Sequence, residues 1–351
     1  MGCEPAHEPV LHHSNGAGEQ SGFTTEGPAS LKSYDNRRES KLRAGVIGLG
    51  IMGGAIAERL LATGYEVVVY NRTREKAEPL IAQGARWADS PAEVARQCEV
   101  VISIVTDPAA VEQVSFGDRG ILSALSAESV HCDMSTVSPA WSRYMAQTYR
   151  QAGKRFVQAP VLGGRKQILE GTLLVFGGGE EDDLNRCEPV WRAFSDKVWR
   201  FPTADRATTT KLACNMMIAH MMVGLGQSML FAAKGGVSPA TLLDILSKSN
   251  LGAPMYTTKG NAVLERNFQA NFFVRHLLKD LSLAEDAARE TSTMLPLNAL
   301  TRELFVAAMQ QGFADEDYSA VVKVMERLAG IELRKDLYGG QRDGRPYRTH
   351  L

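Results

Sequence analysis

The apolar run Val46-Ile47 breaks off at Gly48, and an apolar helical pattern takes over almost at once. A strand must therefore pass into a helix across Gly48-Leu49-Gly50-Ile51-Met52-Gly53. The glycines meet separate demands: Gly48 permits the tight turn, Gly50 lets backbone approach a ligand, and Gly53 lets the helix pack closely on the strand. The helix N-terminus presents unpaired amides and the positive end of its dipole, which suits a pyrophosphate. In this strand–turn–helix context the six residues read as a dinucleotide site.

The rest of the chain extends that unit. Short β-rich runs are predicted at 44–48, 66–70, 86–87, 100–105, 130–133, 155–159, 172–176 and near 197–201. Helical segments separate them: one closed by Gly64, a charged one from Thr73, and others opened by Ser90-Pro91 and Ser138-Pro139. This alternation implies an α/β fold, a Rossmann-like doubly wound parallel sheet. Past 204 strands vanish, and a long helix is predicted over 207–233, followed by helices near 238–249, 254–265, 274–290, 297–311 and 318–329. The expected organisation is a disordered leader (1–43), a dinucleotide-binding domain (44–204), an all-α substrate and oligomerisation domain (205–335) with a long interdomain helix, and a flexible tail (336–351).

Composition excludes several classes. A net charge of −1, from 39 Lys and Arg against 40 Asp and Glu, argues against a nucleic-acid surface. No continuous apolar run approaches the roughly 20 residues of a bilayer span, so no membrane partner is expected. The five cysteines are odd in number and contain no CxxC, which fits a reducing compartment. Four of the seven histidines (His7, His12, His13, His350) lie in the expected tails, so no metal site is expected. The leader has scattered acids and no apolar core, and Ala6 stands where myristoylation wants Ser or Thr; the expected location is cytoplasmic.

The second strand ends in Tyr70-Asn71-Arg72-Thr73 rather than in the Asp or Glu that accepts from a ribose 2′-hydroxyl. Asn71 carries no charge to repel a phosphate, Arg72 supplies a guanidinium, and Thr73 adds a hydroxyl and an amide. NADP(H) is favoured over NAD(H) on these electrostatics.

With Asp133-Met-Ser-Thr-Val-Ser-Pro139, Ala159-Pro-Val-Leu-Gly-Gly164, Lys211-Leu-Ala-Cys-Asn215 and Lys279-Asp280-Leu281 following the glycine turn in order, the chain resembles the β-hydroxyacid dehydrogenase family over 44–335. That family includes 3-hydroxyisobutyrate dehydrogenase, tartronate semialdehyde reductase and glyoxylate/succinic semialdehyde reductase. Lys211 and Asn215 are four apart and share a helix face. The resemblance implies that Lys211 is the general acid/base, which requires its pKa of about 10.4 to fall toward 7–8. It implies that Asn215 orients the lysine or substrate. It also implies that Val105, Thr106, Thr136 and Lys279 contact the cofactor, and that Ser135, Thr136, Gly163 and Gly164 contact the substrate.

The loop departs from the family pattern. Leu162 replaces a serine, Gln167-Ile168 stands where Gly-Ala is common, and Arg165-Lys166 adds two cations. Asp205 and Ala207 fill positions that are usually glycine. An altered acyl pocket is expected, with Arg165 and Lys166 available to a second anionic group. The implied reaction interconverts a small anionic 3-hydroxy acid and its semialdehyde. Rival readings are a 6-phosphogluconate-type or imine-type reductase of the same fold, or a non-catalytic dinucleotide-binding module. The helix at 207–233 cannot hide both faces within one domain, so a homodimer or homotetramer is expected, with the active site in the interdomain cleft.

Overall fold

In the computed structural model, residues 42–338 are described. The expectations for the leader, including Cys3, and for the tail beyond 338 lie outside them. The first strand and helix, β1 (Ala44–Ile47) and α1 (Ile51–Ala62), flank the glycine turn. β2 (Val67–Tyr70), a 3-10 turn over Arg74–Lys76 and the short α2 (Glu78–Ile81) follow; the charged helix expected from Thr73 is thus broken. β3 (Arg86–Trp87), α3 (Pro91–Gln97), β4 (Val100–Ser103), α4 (Pro108–Phe116), β5 (Val130–Asp133) and α5 (Pro139–Gln151) continue the alternation. Ser90, Asp107 and Ser138 cap α3, α4 and α5, each accepting from an amide three residues on.

β6 (Arg155–Gln158), β7 (Val161–Leu162), α6 (Arg165–Glu170), β8 (Leu174–Gly178), α7 (Glu181–Trp191) and β9 (Lys197–Phe201) complete one sheet. Its order is β3-β2-β1-β4-β5-β6-β8-β7, with β9 on β8. Strands β1 to β6 pair in parallel, but β8 runs antiparallel to β6 and β7. The sheet is thus mostly parallel, as expected of a doubly wound fold, and only the pairings of β8 with β6 and β7 depart from that. The 163–173 connection, which holds α6, returns the chain antiparallel from β7 to β8. β7 was not expected; two residues carry no periodicity.

The period of two decides the layers. Val67 and Val69, Val100 and Ile102 pack with α1 and α7, whereas Val68 and Val101 pack with α3 and α5. Strand order reverses between β1 and β4, and the crevice beyond their carboxyl ends is where such sheets take ligands.

After β9 the described chain is helical: α8 (Ala204–Lys234), α9 (Pro239–Lys248), α10 (Pro254–Leu264), α11 (Val274–Glu290), α12 (Pro296–Gln310) and α13 (Val321–Ala329), the last preceded by a 3-10 turn at Tyr318–Ala320. Met222, Met229, Leu277, Leu281, Phe305 and Val322 are central to this core. By length and composition α8 could cross a bilayer, which contiguous apolar runs did not suggest. It packs on α5 and β8 at one end and on α11 and α13 further along, which makes it a core helix joining the two parts.

Candidate active site

The glycine turn fits a dinucleotide on its own geometry. Gly48 sits at φ +93, and a Cβ there would lie 2.3 Å from the Ile104 carbonyl oxygen. At Gly53 a Cβ would lie 1.9 Å from the Gly48 carbonyl oxygen, so the helix packs where no side chain fits. Gly50, the N-cap of α1, is different: a Cβ there meets nothing within 4 Å, and no side chain caps the helix. The start of α1 thus has no side-chain cap and is open at Gly50, as the approach of a pyrophosphate to the first-turn amides requires. Ile51 is exposed and Met52 half-buried. Leu49 is buried and donates its amide to Asn71 Oδ1 at 2.9 Å, so it shapes the turn and is not a free donor.

Asn71 also donates from Nδ2 to the Thr73 carbonyl at 2.8 Å. It braces the turn against the β2 loop. Arg72 and Thr73 are exposed, and Arg72 makes no ion pair or side-chain hydrogen bond among the described residues. Across the crevice, Val105 is half-buried, while Thr106 is exposed and donates its hydroxyl to Asp107 at 2.8 Å.

Lys211 lies on the buried face of α8, one turn before Asn215. Its Nζ donates to Asn215 Oδ1 at 2.9 Å, and Asn215 Nδ2 donates to Asp280 Oδ2 at 2.6 Å. Lys279 Nζ stands 2.9 Å from Asp280 Oδ1 and donates to the Thr136 carbonyl at 2.6 Å. One polar chain thus runs from α8 through α11 to the β5–α5 loop, bridging helical bundle and sheet. Burial pushes the Lys211 ammonium down from 10.5 to about 8; the Asp280 carboxylate opposes that shift and the Lys279 charge assists it. A lysine so placed can give or take a proton near neutral pH. In the sequence Asp280 stands out only through its adjacency to Lys279 in Lys279-Asp280-Leu281.

Ser135, expected to contact substrate, is buried, and its hydroxyl is engaged within the protein. Its hydroxyl donates to Asp133 Oδ1 at 2.8 Å and accepts from the Val105 amide at 3.0 Å, tying the ends of β4 and β5 together. Asp133, which sequence reasoning missed as an organiser, also accepts from Ser103 Oγ at 2.7 Å and Gln158 Nε2 at 3.0 Å. Burial raises its carboxyl pKa while these bonds oppose the rise. Burial holds His131 down to about 3, hence neutral. Because Ser103 donates to Asp133, it accepts from His131 Nε2 at 2.8 Å, and His131 Nδ1 accepts from the Tyr149 hydroxyl at 2.7 Å.

The second glycine loop is hydrogen-bonded internally at Gly164. Gly163 is exposed at φ +132, but the Gly164 amide is not bare: it donates to Gln167 Oε1 at 3.0 Å. Arg165 pairs with Glu58 at 2.7 Å, and Lys166 lies 3.8 Å from Glu170. The two added cations thus have carboxylates beside them. Asp205, in the first turn of α8, faces Arg143 of α5 at 3.4 Å, and the same arginine reaches Glu290 of α11 at 2.8 Å.

Residues 43–202 match the family model described as the NAD binding domain of 6-phosphogluconate dehydrogenase. Residues 206–325 match that described as NAD-binding of NADP-dependent 3-hydroxyisobutyrate dehydrogenase. Glyoxylate/succinic semialdehyde reductase 1 of Arabidopsis thaliana is 32% identical over 81% of this chain and 99% of its own length. The crystal structure of 3-hydroxyisobutyrate dehydrogenase from Salmonella typhimurium superposes with a TM-score of 0.74 at 26% identity, covering 81% of this chain and 100% of that one. Psf3 in complex with NADP+ and 2-OPP gives 0.74 at 26% identity over 80% and 99%. With its glycine turn, its buried lysine and relatives matched along nearly their whole length, the chain belongs to the β-hydroxyacid dehydrogenase family of NAD(P)-dependent oxidoreductases acting on CH–OH groups.

Proposed function

We propose that the chain is an NADP(H)-dependent reductase that interconverts a small hydroxy acid and its semialdehyde, with Lys211 as general acid/base. The observation that carries this reading is the buried Lys211 on Asn215, held near pKa 8 where the helical bundle meets the crevice. NADPH on the α1 N-terminus would supply the hydride. Lys211 Nζ protonates the substrate oxygen during reduction and recovers that proton during oxidation. Asn215 orients Nζ, Asp280 fixes Asn215, and Lys279 holds the α11 face against the Thr136 loop. Glyoxylate and succinic semialdehyde, named for the Arabidopsis relative, are the first substrates to test. NADPH oxidation across a panel of semialdehydes tests the reading; NADPH binding without turnover on any of them would favour a non-catalytic module.

Preference for NADP(H) rests on the exposed Arg72, free of carboxylate partners among the described residues. A charge-assisted hydrogen bond contributes about 1.5–3 kcal/mol. Arg72→Ala should therefore raise KM for NADPH by about 10- to 100-fold while leaving KM for NADH nearly unchanged. Equal effects on both cofactors would end the assignment.

A homo-oligomer follows from α8. Met217 (56% exposed) and Phe231 (84%) lie on the face opposite the buried Met222 and Met229. A second copy of the chain covers that stripe in this reading. Light scattering at micromolar concentration should find a dimer or tetramer, and Phe231→Glu should shift it toward monomer. A monomeric wild type would remove the proposal.

A further inference from the structure

We propose that His276 of α11 is a further cofactor-binding residue, whose imidazole N–H closes the helical bundle onto the nicotinamide mononucleotide half of the bound dinucleotide. The inference rests on the reading that NADP(H) lies on the α1 N-terminus, and it adds a contact from the opposite wall of the crevice. His276 precedes Lys279 and Asp280 by three and four residues, so the three side chains share one helix face. That face is turned to the sheet, because Lys279 Nζ donates to the Thr136 carbonyl at 2.6 Å. The start of α11 is pinned to the bundle: Val274 donates its amide to the Glu316 carbonyl, and Tyr318 donates to the Phe272 carbonyl, each at 2.9 Å. The His276 ring is half-buried and meets Phe273 edge-on, with centroids 5.1 Å apart. Neither ring nitrogen makes a hydrogen bond among the described residues.

The charges around the ring come from both walls. Burial, then Arg275 and Lys279, hold its pKa below the ordinary histidine value, while Asp280 and Asp107 act the other way. Asp107 belongs to the sheet side, as the N-cap of α4. Both of its oxygens are taken, by the Ala110 amide at 2.9 Å and the Thr106 hydroxyl at 2.8 Å. Its charge therefore reaches the imidazole without a bond between them. The loop that carries Asp107 leaves β4 against the glycine turn: a Cβ on Gly48 would lie 2.3 Å from the Ile104 carbonyl oxygen, and one on Gly53 2.8 Å from Ile104 Cγ2. The gap between His276 and this loop thus continues the dinucleotide turn. It continues toward the reacting end, because Asp280, on the same face as His276, holds Asn215 and through it Lys211. The nicotinamide half of a dinucleotide must cross that gap to bring its hydride to Lys211. A neutral imidazole has one N–H to give, and ribose hydroxyl and phosphate oxygens are acceptors on that half.

A ring that only packs on Phe273 would tolerate another aromatic. His276→Phe keeps that packing and removes the N–H, whereas His276→Gln gives up the ring and keeps a donor. Calorimetric titration of the full chain should show the Kd for NADPH raised about tenfold in His276→Phe and held within about threefold of wild type in His276→Gln. The Tm of His276→Phe should match wild type. Adenosine 2′,5′-bisphosphate, which lacks the nicotinamide half, should bind wild type and both variants alike. Unchanged NADPH affinity in His276→Phe, an equal loss for the bisphosphate, or an equal loss in His276→Gln overturns the proposal. A raised KM for aldehyde with unchanged NADPH affinity would place the ring on substrate and overturn it as well. Wild-type turnover of semialdehydes is scored separately. Turnover with no His276→Phe effect on NADPH binding sinks this inference alone, and the binding effect without turnover sinks the reductase reading alone.

Discussion

Lys211→Ala is expected to lower kcat by about 10²–10⁴-fold, the usual contribution of a positioned general acid or base, while the dissociation constant for NADPH changes by less than about threefold. The separation follows from placement. Lys211 is anchored through Asn215 and Asp280 within the helical bundle, whereas the dinucleotide turn is built from β1, α1 and the β2 loop. Rapid-mixing kinetics and fluorescence titration measure the two quantities independently. The pH dependence carries the same argument with a defined sign. A lysine with a pKa of about 8 is an ammonium below that pH, so reduction, which consumes its proton, should lose rate as pH rises through about 8. Oxidation needs the free amine and should gain rate across the same interval. Asp280→Asn removes the carboxylate that holds the proton on, so both inflections should move to lower pH. An inflection left in place would remove Asp280 from the charge balance. Lost NADPH binding in Lys211→Ala would mean that the lysine holds cofactor and not the reacting oxygen.

The parts of the site legible in sequence were those set by backbone and by short spacing. Gly48 and Gly53 announce themselves because no other residue fits where the helix meets the strand, and Lys211-Asn215 because four residues make one helical turn. Hidden were the internal acceptors that take a donor before a ligand can. Ser135 has the residue type of a substrate contact, yet Asp133, two positions earlier, turns its hydroxyl inward once burial leaves that carboxylate in need of donors. The Gly164 amide is likewise taken within the protein, by an acceptor three residues along whose capping role the sequence does not announce. Arg165 meets Glu58, which is far off in sequence and comes beside it only in three dimensions, whereas the Lys166–Glu170 pair is one helical turn apart and was open to a reading by spacing. The antiparallel pairing of β7 and β8 was hidden differently: the run at 172–176 was readable, but its partner β7 has only two residues and leaves no pattern to show the direction of pairing.

The glycine turn allows fold and ligand to be tested apart. Gly53→Ala places a methyl 1.9 Å from the Gly48 carbonyl oxygen and 2.8 Å from Ile104 Cγ2, so α1 must move away from β1. Overpacking of this kind costs about 1–3 kcal/mol, and because backbone rather than a flexible side chain is struck, the upper end is expected. Thermal denaturation should show Tm lowered by several degrees, with NADPH affinity lost alongside. Gly50→Ala meets nothing within 4 Å, and Gly50 has φ −73, a conformation open to alanine. Its Tm should match wild type. The same methyl, however, stands where the pyrophosphate approaches the first-turn amides, so NADPH affinity should fall at least about tenfold, one bond's worth of about 1.4 kcal/mol. Loss of affinity in both variants with loss of stability in only one is the signature of a turn whose third glycine serves packing and whose second serves the cofactor. Unchanged NADPH affinity in Gly50→Ala would move the dinucleotide off this helix.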